Sequence, residues 1–198
     1  LSKYLDKIVH IIVDDMPNNK NPWNNESHQR NCIHRGLQQL DIKDNDFIVI
    51  SDVDEVIDKN IFKNININNN IYSLEQDMYY YNFNCKAAKK WNRPKILKYS
   101  VYNEIRNCER IRLLECPVIK NGGWHLSYFG DVQFIKNKIK NFSHQELNLS
   151  HILDEKTIQS HIDNSTDLFF RNNETTHQFK KTNINDIKYL PKNYKFLM

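Results

Sequence analysis

Phe47-Ile48-Val49-Ile50-Ser51-Asp52-Val53-Asp54-Glu55 is a short apolar run that ends in three carboxylates. Four apolar residues behind the polar turn Asp44-Asn45-Asp46 read as a strand buried on both faces, of the kind found inside a parallel sheet. Ligands of open α/β sheets gather at the ends of such strands. Side chains two apart on an extended segment point the same way, so Asp52 and Asp54 are placed to offer hard oxygen ligands to one divalent cation. The plainer alternative is that one aspartate caps a following helix and the others solvate a loop.

Working outward from that stretch, Ile8 to Val13 is a β-branched run suited to a buried strand. Trp23, Glu26, Ser27, Arg30, Ile33, His34 and Leu37 then recur at helical spacing, in a helix expected to end near Leu40. Strand, helix and strand in this order predict a βαβ unit with parallel strands over residues 1–64. Further on, Val56 to Lys63 reads as a short helix, Ile71 to Asn84 and Pro94 to Val101 as strands of a mixed continuation. Val118 to His125 reads as a strand entering a double glycine, which implies a tight turn or a close backbone approach. Helices are expected from Asp131, with Val132, Ile135 and Ile139 as the apolar stripe, and over Asp154 to Ile162. The expected fold is one α/β domain over 1–198, a mixed Rossmann-type sheet flanked by helices, with 1–64 as the metal-binding half and 65–198 as the acceptor half.

Bulk composition narrows the function. With 198 residues, 39% hydrophobic and 12% aromatic, the chain is long and apolar enough for a globular core. No apolar run approaches the roughly 20 residues that span a bilayer. The net charge of +4 is scattered along the chain rather than gathered in a block, so a nucleic-acid partner is not expected. Cys32, Cys85, Cys108 and Cys116 have no CxxC spacing, which excludes a zinc ribbon.

Four motifs carry a resemblance. They are Trp23-x-x-Glu26-x-x-Gln29-Arg30-Asn31, Ile50-Ser51-Asp52-Val53-Asp54-Glu55, Gly122-Gly123-Trp124-His125-Leu126-Ser127 and Tyr189-Leu190-Pro191-Lys192-Asn193-Tyr194. In order and spacing they resemble the glycosyltransferase family of the animal β-1,4-mannosyl-glycoprotein β-1,4-N-acetylglucosaminyltransferase, family 17. The resemblance implies a GT-A-like fold and inverting transfer of N-acetylglucosamine from its UDP sugar to a glycan hydroxyl, with Mn2+ or Mg2+ as cofactor. It implies a nucleotide-sugar donor and a glycan or glycoprotein acceptor as partners. Two departures stand out: Val56-Ile57 replaces the usual Ile-Pro, and the chain begins at what resembles the family's second strand, without the first.

The residues assign roles within that frame. A departing diphosphate needs its charge stabilised, and a divalent ion held by one or two carboxylates does so. Asp54 is expected as the direct metal ligand. Asp52 is expected to reach the metal through water, or to touch the ribose or sugar, and Glu55 to order the turn or the acceptor. The resemblance to GT-A enzymes adds His125 as a further ligand, and an imidazole favours manganese. Trp124 is either core or a platform for a sugar ring. Arg30 either pairs with Glu26 four residues earlier or meets the diphosphate. For the general base that takes the acceptor proton, the sequence offers Asp77, Glu75, Asp131 and Glu146, with Glu146 and Asp77 preferred. Two other readings stand: a haloacid-dehalogenase-like phosphatase built on the Asp52/Asp54 pair, and a domain that holds a glycan or nucleotide sugar without turnover.

Overall fold

The computed structural model describes residues 2–18, 21–63, 65–68, 70–171 and 177–197. Among these, seven strands form one mixed sheet: β1 (Phe47–Ile50), β2 (Glu55–Ile57), β3 (Tyr72–Tyr80), β4 (Cys85–Ala87), β5 (Lys95–Lys98), β6 (Val118–Ser127) and β7 (Phe179–Lys181). Six α-helices accompany them: α1 (Pro22–Asn31), α2 (Ile33–Leu37), α3 (Tyr99–Ile105), α4 (Cys108–Leu113), α5 (Val132–Asn141) and α6 (Glu155–Asn164). The architecture is α/β and consistent with a GT-A-like fold.

The long strand β3 organises the sheet. One edge carries β6 in parallel along nearly its whole length, and β2 lies antiparallel on the far side of β6. The other edge is shared in succession: β5 pairs at Tyr72 and Ser73, β4 pairs at Tyr79. β1 continues outward from β5 and β7 from β4, both antiparallel. Strand parity then sorts the side chains. Met78 and Tyr80 of β3 face Ile135 and Ile139 of α5 and Ile158 of α6, while Tyr79 faces Trp124, Leu126 and the C-terminal residues Ile184, Ile187, Tyr189, Leu190 and Tyr194.

The helices read from sequence form for the expected reasons. Asp131 caps α5 by accepting from the Phe134 amide at 2.8 Å, and Asp154 caps α6 by accepting from Thr157 at 2.8 Å. Their stripes bury Ile135, Ile139 and Ile158 completely. The helix expected over 23–40 is instead two, broken at Cys32 and ending at Leu37.

Several expectations are corrected. Residues 8–13 form no strand; they are largely exposed, with Ile12 73% accessible, and pair with no ladder. Consequently no parallel βαβ unit exists over the described part of 1–64. β1 is an edge strand antiparallel to β5 rather than the middle of a parallel sheet, with Ile48 and Ile50 packed on α3 and α4 and Phe47 exposed. The predicted helix 56–63 is strand β2 followed by a 3-10 turn at Lys59–Lys63. The strand predicted through Val101 turns helical at Tyr99.

The double glycine makes no turn. β6 continues through it with a bulge: Leu74 pairs with Ile119 but Gln76 with Gly123, and Asn121 takes φ 56°, so the close approach is to neighbouring strands of the same sheet. A Cβ on Gly122 would lie 2.7 Å from Leu74 Cβ, and one on Gly123, at φ +137°, would strike the Val56 carbonyl oxygen.

Candidate active site

The acidic turn is fixed by its own last residue. Glu55 accepts from the Asp52 amide at 2.7 Å through Oε2, while the Glu55 amide donates back to the Asp52 carbonyl at 3.0 Å. The Glu55 side chain is fully buried and its charge is met by Arg112 of α4, whose guanidinium donates to both carboxylate oxygens at 2.7 and 2.8 Å. Trp91 Nε1 donates to Oε1 at 2.6 Å. Of the two roles foreseen for Glu55, ordering the turn is the one this network performs.

Asp52 and Asp54 leave the turn toward different partners. Asp52 accepts from Arg112 Nη2 at 2.8 Å and from Arg30 at 3.3 Å. Burial pushes its carboxyl above the ordinary aspartate value against the pull of Arg112. Arg30 binds Glu26 at 2.8 Å, as the plainer reading held, and also Glu109 of α4, so it ties α1 to the acidic turn.

Asp54 meets His125. Its Oδ1 lies 3.6 Å from His125 Nε2, and its Oδ2 accepts from Lys138 of α5 at 2.8 Å. Burial works to raise the Asp54 carboxyl, but the facing imidazole and the Lys138 ammonium outweigh it and hold the group well below the ordinary range. The His125 ring packs on Trp91 at 4.5 Å between centroids, and its Nδ1 is buried without a hydrogen-bond partner. Register brings the two elements together: Glu55 of β2, His125 of β6 and Met78 of β3 lie directly across from one another and face the same side of the sheet, and Asp54 immediately precedes β2, its carbonyl accepting from the Leu126 amide.

That side opens into a cleft of about 530 Å3, a volume usual for small-ligand sites. His125, Trp91, Tyr80, Lys138, Arg171, His144 and Glu146 line it. Glu146 Oε1 lies 2.7 Å from His144 Nδ1, and that bond lowers the Glu146 carboxyl. Trp23 of α1 meets the His144 ring edge-on at 4.4 Å. Arg171 is held by both oxygens of the buried Asp167 and stacks on Phe169.

The structure thus puts His125 and Glu146 on the cleft face, with Asp54 against His125 and with Glu55, Asp52 and Arg30 linked to one another by ion pairs beside them. Asp77 and Trp124 lie on the opposite one, since they are register partners one residue out of phase with Met78 and His125. Asp77 is buried and bound by Lys86 at 2.8 Å and by Lys90. Trp124 stacks on Tyr189 at 4.6 Å and donates to its carbonyl, which makes it core. Glu75 and Asp131 have no place among the lining side chains, and Asp131 is the α5 cap.

Sequence reasoning missed Arg112, Lys138 and Trp91. Lys138 could have been found from helix spacing, three residues beyond the buried Ile135. Arg112 and Trp91 reach the site only through sheet topology.

The donor set fits a divalent cation in part. Asp54 offers oxygen and His125 nitrogen from one place, and the unpaired Nδ1 leaves the imidazole with coordinating capacity that no protein group uses. Asp52, turned to the two arginines, does not join them. Among the described residues, no trio of metal-ligating side chains converges here.

The fold is an α/β sheet that sets an acidic turn against a histidine of the neighbouring strand, and comparison with known families gives the class of protein. The model of glycosyltransferase family 17 matches residues 2–196, and the chain belongs to that family. No curated protein and no solved structure matches it. Membership makes the chain a glycosyltransferase by class, with a nucleotide-sugar donor and a glycan acceptor, and sets aside the phosphatase reading. No helix among the described residues is long and apolar enough to cross a membrane.

Proposed function

We propose that the chain transfers N-acetylglucosamine from UDP-N-acetylglucosamine to a glycan hydroxyl with inversion, with the donor diphosphate at Asp54, His125 and Lys138. The observation that carries this reading is His125 on the wall of a cleft that also holds cationic side chains and a His–Glu dyad, with the Asp54 carboxylate against its imidazole and against Lys138.

Asp54 and His125 would hold the Mn2+ or Mg2+, which when bound supplies positive charge against the developing diphosphate. Lys138 adds a fixed ammonium beside the same carboxylate, and Arg171 a guanidinium on the cleft wall. Trp91 holds the His125 ring in place from one side. Arg112 and Glu55 keep the turn that presents Asp54 in a single conformation.

His144 and Glu146 supply the base. An exposed carboxylate whose pKa is lowered by its partner is a weak proton acceptor, whereas the imidazole it binds keeps a second ring nitrogen for a proton. Glu146 therefore acts as the positioning residue: it fixes Nδ1 of His144 and leaves Nε2 to take the acceptor proton. The exposed Trp23 beside His144 gives an aromatic surface for an acceptor sugar.

Incubation with UDP-N-acetylglucosamine and a panel of glycans, followed by the anomeric coupling in the product, tests the reading. A β-linked product from the α-linked donor is expected. His144→Gln should lower kcat by about 10²–10⁴-fold, and Glu146→Gln by less. An α-linked product, or unchanged turnover in His144→Gln, would overturn the assignment.

A further inference from the structure

Three side chains that the cleft does not use converge on the opposite flank of α1. His28 and Cys32 are four residues apart at the end of the helix, so they share a face. Asp15 reaches them from the segment that precedes the helix. One carboxylate oxygen, one imidazole nitrogen and the Cys32 sulfur all lie within 4.8 Å of one another. No other trio of His, Cys, Asp and Glu among the described residues is so placed.

His28 Nε2 is closed off from solvent, lies 3.5 Å from Asp15 Oδ1 and has no hydrogen-bond partner. A buried ring nitrogen without a partner costs free energy that a bound ligand would recover. Cys32 is a free thiol, only 5% exposed. Arg35 donates to both Asp15 oxygens, at 2.9 and 2.6 Å. Each carboxylate oxygen has two lone pairs, so Asp15 retains acceptor capacity on the side that faces His28.

We propose that Asp15, His28 and Cys32 form a zinc site. Thiolate, imidazole and carboxylate are zinc ligands, and three of them leave a fourth tetrahedral position for water. The sulfur argues against magnesium, calcium and manganese. On binding, the Cys32 thiol releases its proton to solvent and the thiolate becomes the ligand. The two negative ligands then balance the ion, and Arg35 remains outside as a partner of Asp15. The site would act as a clip. The exposed segment 8–18 has no strand ladder to hold it, and Asp15 is a point where it is tied to the helical layer.

The test is cobalt substitution in the purified chain, read by thiolate-to-cobalt charge-transfer absorption and by metal content. The band is expected in wild type, in Cys116→Ala and in Asp54→Ala, which removes a ligand of the proposed donor site only. It should vanish in Cys32→Ala and weaken in His28→Gln, with circular dichroism as the control that both variants fold. No band in wild type, or a band that survives Cys32→Ala, overturns the proposal.

Discussion

At the scale of single residues, Arg112 carries most of the electrostatic load. It neutralises a carboxylate with no exposed surface and holds Asp52 as well. Removing one partner of a buried pair leaves an uncompensated charge, so Arg112→Ala should cost about 3–5 kcal/mol in denaturant unfolding. Arg112→Lys should recover little, because an ammonium cannot bond both Glu55 oxygens in the fork geometry. Asp54 makes a pH prediction. Its folded-state pKa is depressed, so its contribution to stability is fully present above the ordinary aspartate value of 3.8 and is lost as pH falls toward the lower folded value. The stability difference between wild type and Asp54→Asn, followed by urea titration, should be constant near neutral pH and shrink below that value. Cys85 should behave oppositely to an active thiol: burial pushes it up to about 12, so it should resist alkylation in the folded chain at neutral pH and react on unfolding.

At the scale of elements, Gly123 is where β2 meets β6. Its positive φ and the nearby Val56 carbonyl leave no room for a methyl group. Gly123→Ala should displace β2, and with it the turn that carries Asp54, and lower both melting temperature and donor affinity. The elements legible in the sequence are those whose stability is local. α5 and α6 announce themselves through aspartate caps and isoleucine stripes, and β3 through its succession of aromatics. The segment 8–13 has a strand's composition but no neighbour to pair with, and composition does not reveal neighbours. β1 departs from its expected place for a related reason. Four apolar residues suit a doubly buried strand, yet Phe47 is exposed and the strand sits at the sheet's edge.

At the scale of the whole molecule, the site is a product of register. The nearness of Asp54 to His125 is legible through two motifs compact in sequence, whereas the turn of Asp52 toward Arg30 and Arg112 is not. Glu146 was legible only as one acid among four. What separated it from Asp77 is the parallel pairing of β3 with β6, which turns Asp77 away with Trp124 and brings Met78 level with His125. No local pattern encodes that phase. The C-terminal motif Tyr189-Leu190-Pro191 finds its role at this scale too: it covers the sheet face opposite the cleft, with Tyr189 stacked on Trp124 and bonded to Asp58 and the Asn121 carbonyl. Truncation after Asn183 should expose Tyr79, Phe83, Trp124 and Leu126, raise binding of a hydrophobic dye and cause aggregation.

The account rests on Asp54 and His125 as the place where the donor diphosphate is held. Calorimetric titration of UDP-N-acetylglucosamine into the protein, with Mn2+ and with chelator, in wild type and Asp54→Ala, tests this most directly. Binding that requires Mn2+ and is lost in Asp54→Ala is the predicted result. Binding that is the same in chelator, or undiminished by the substitution, would contradict it.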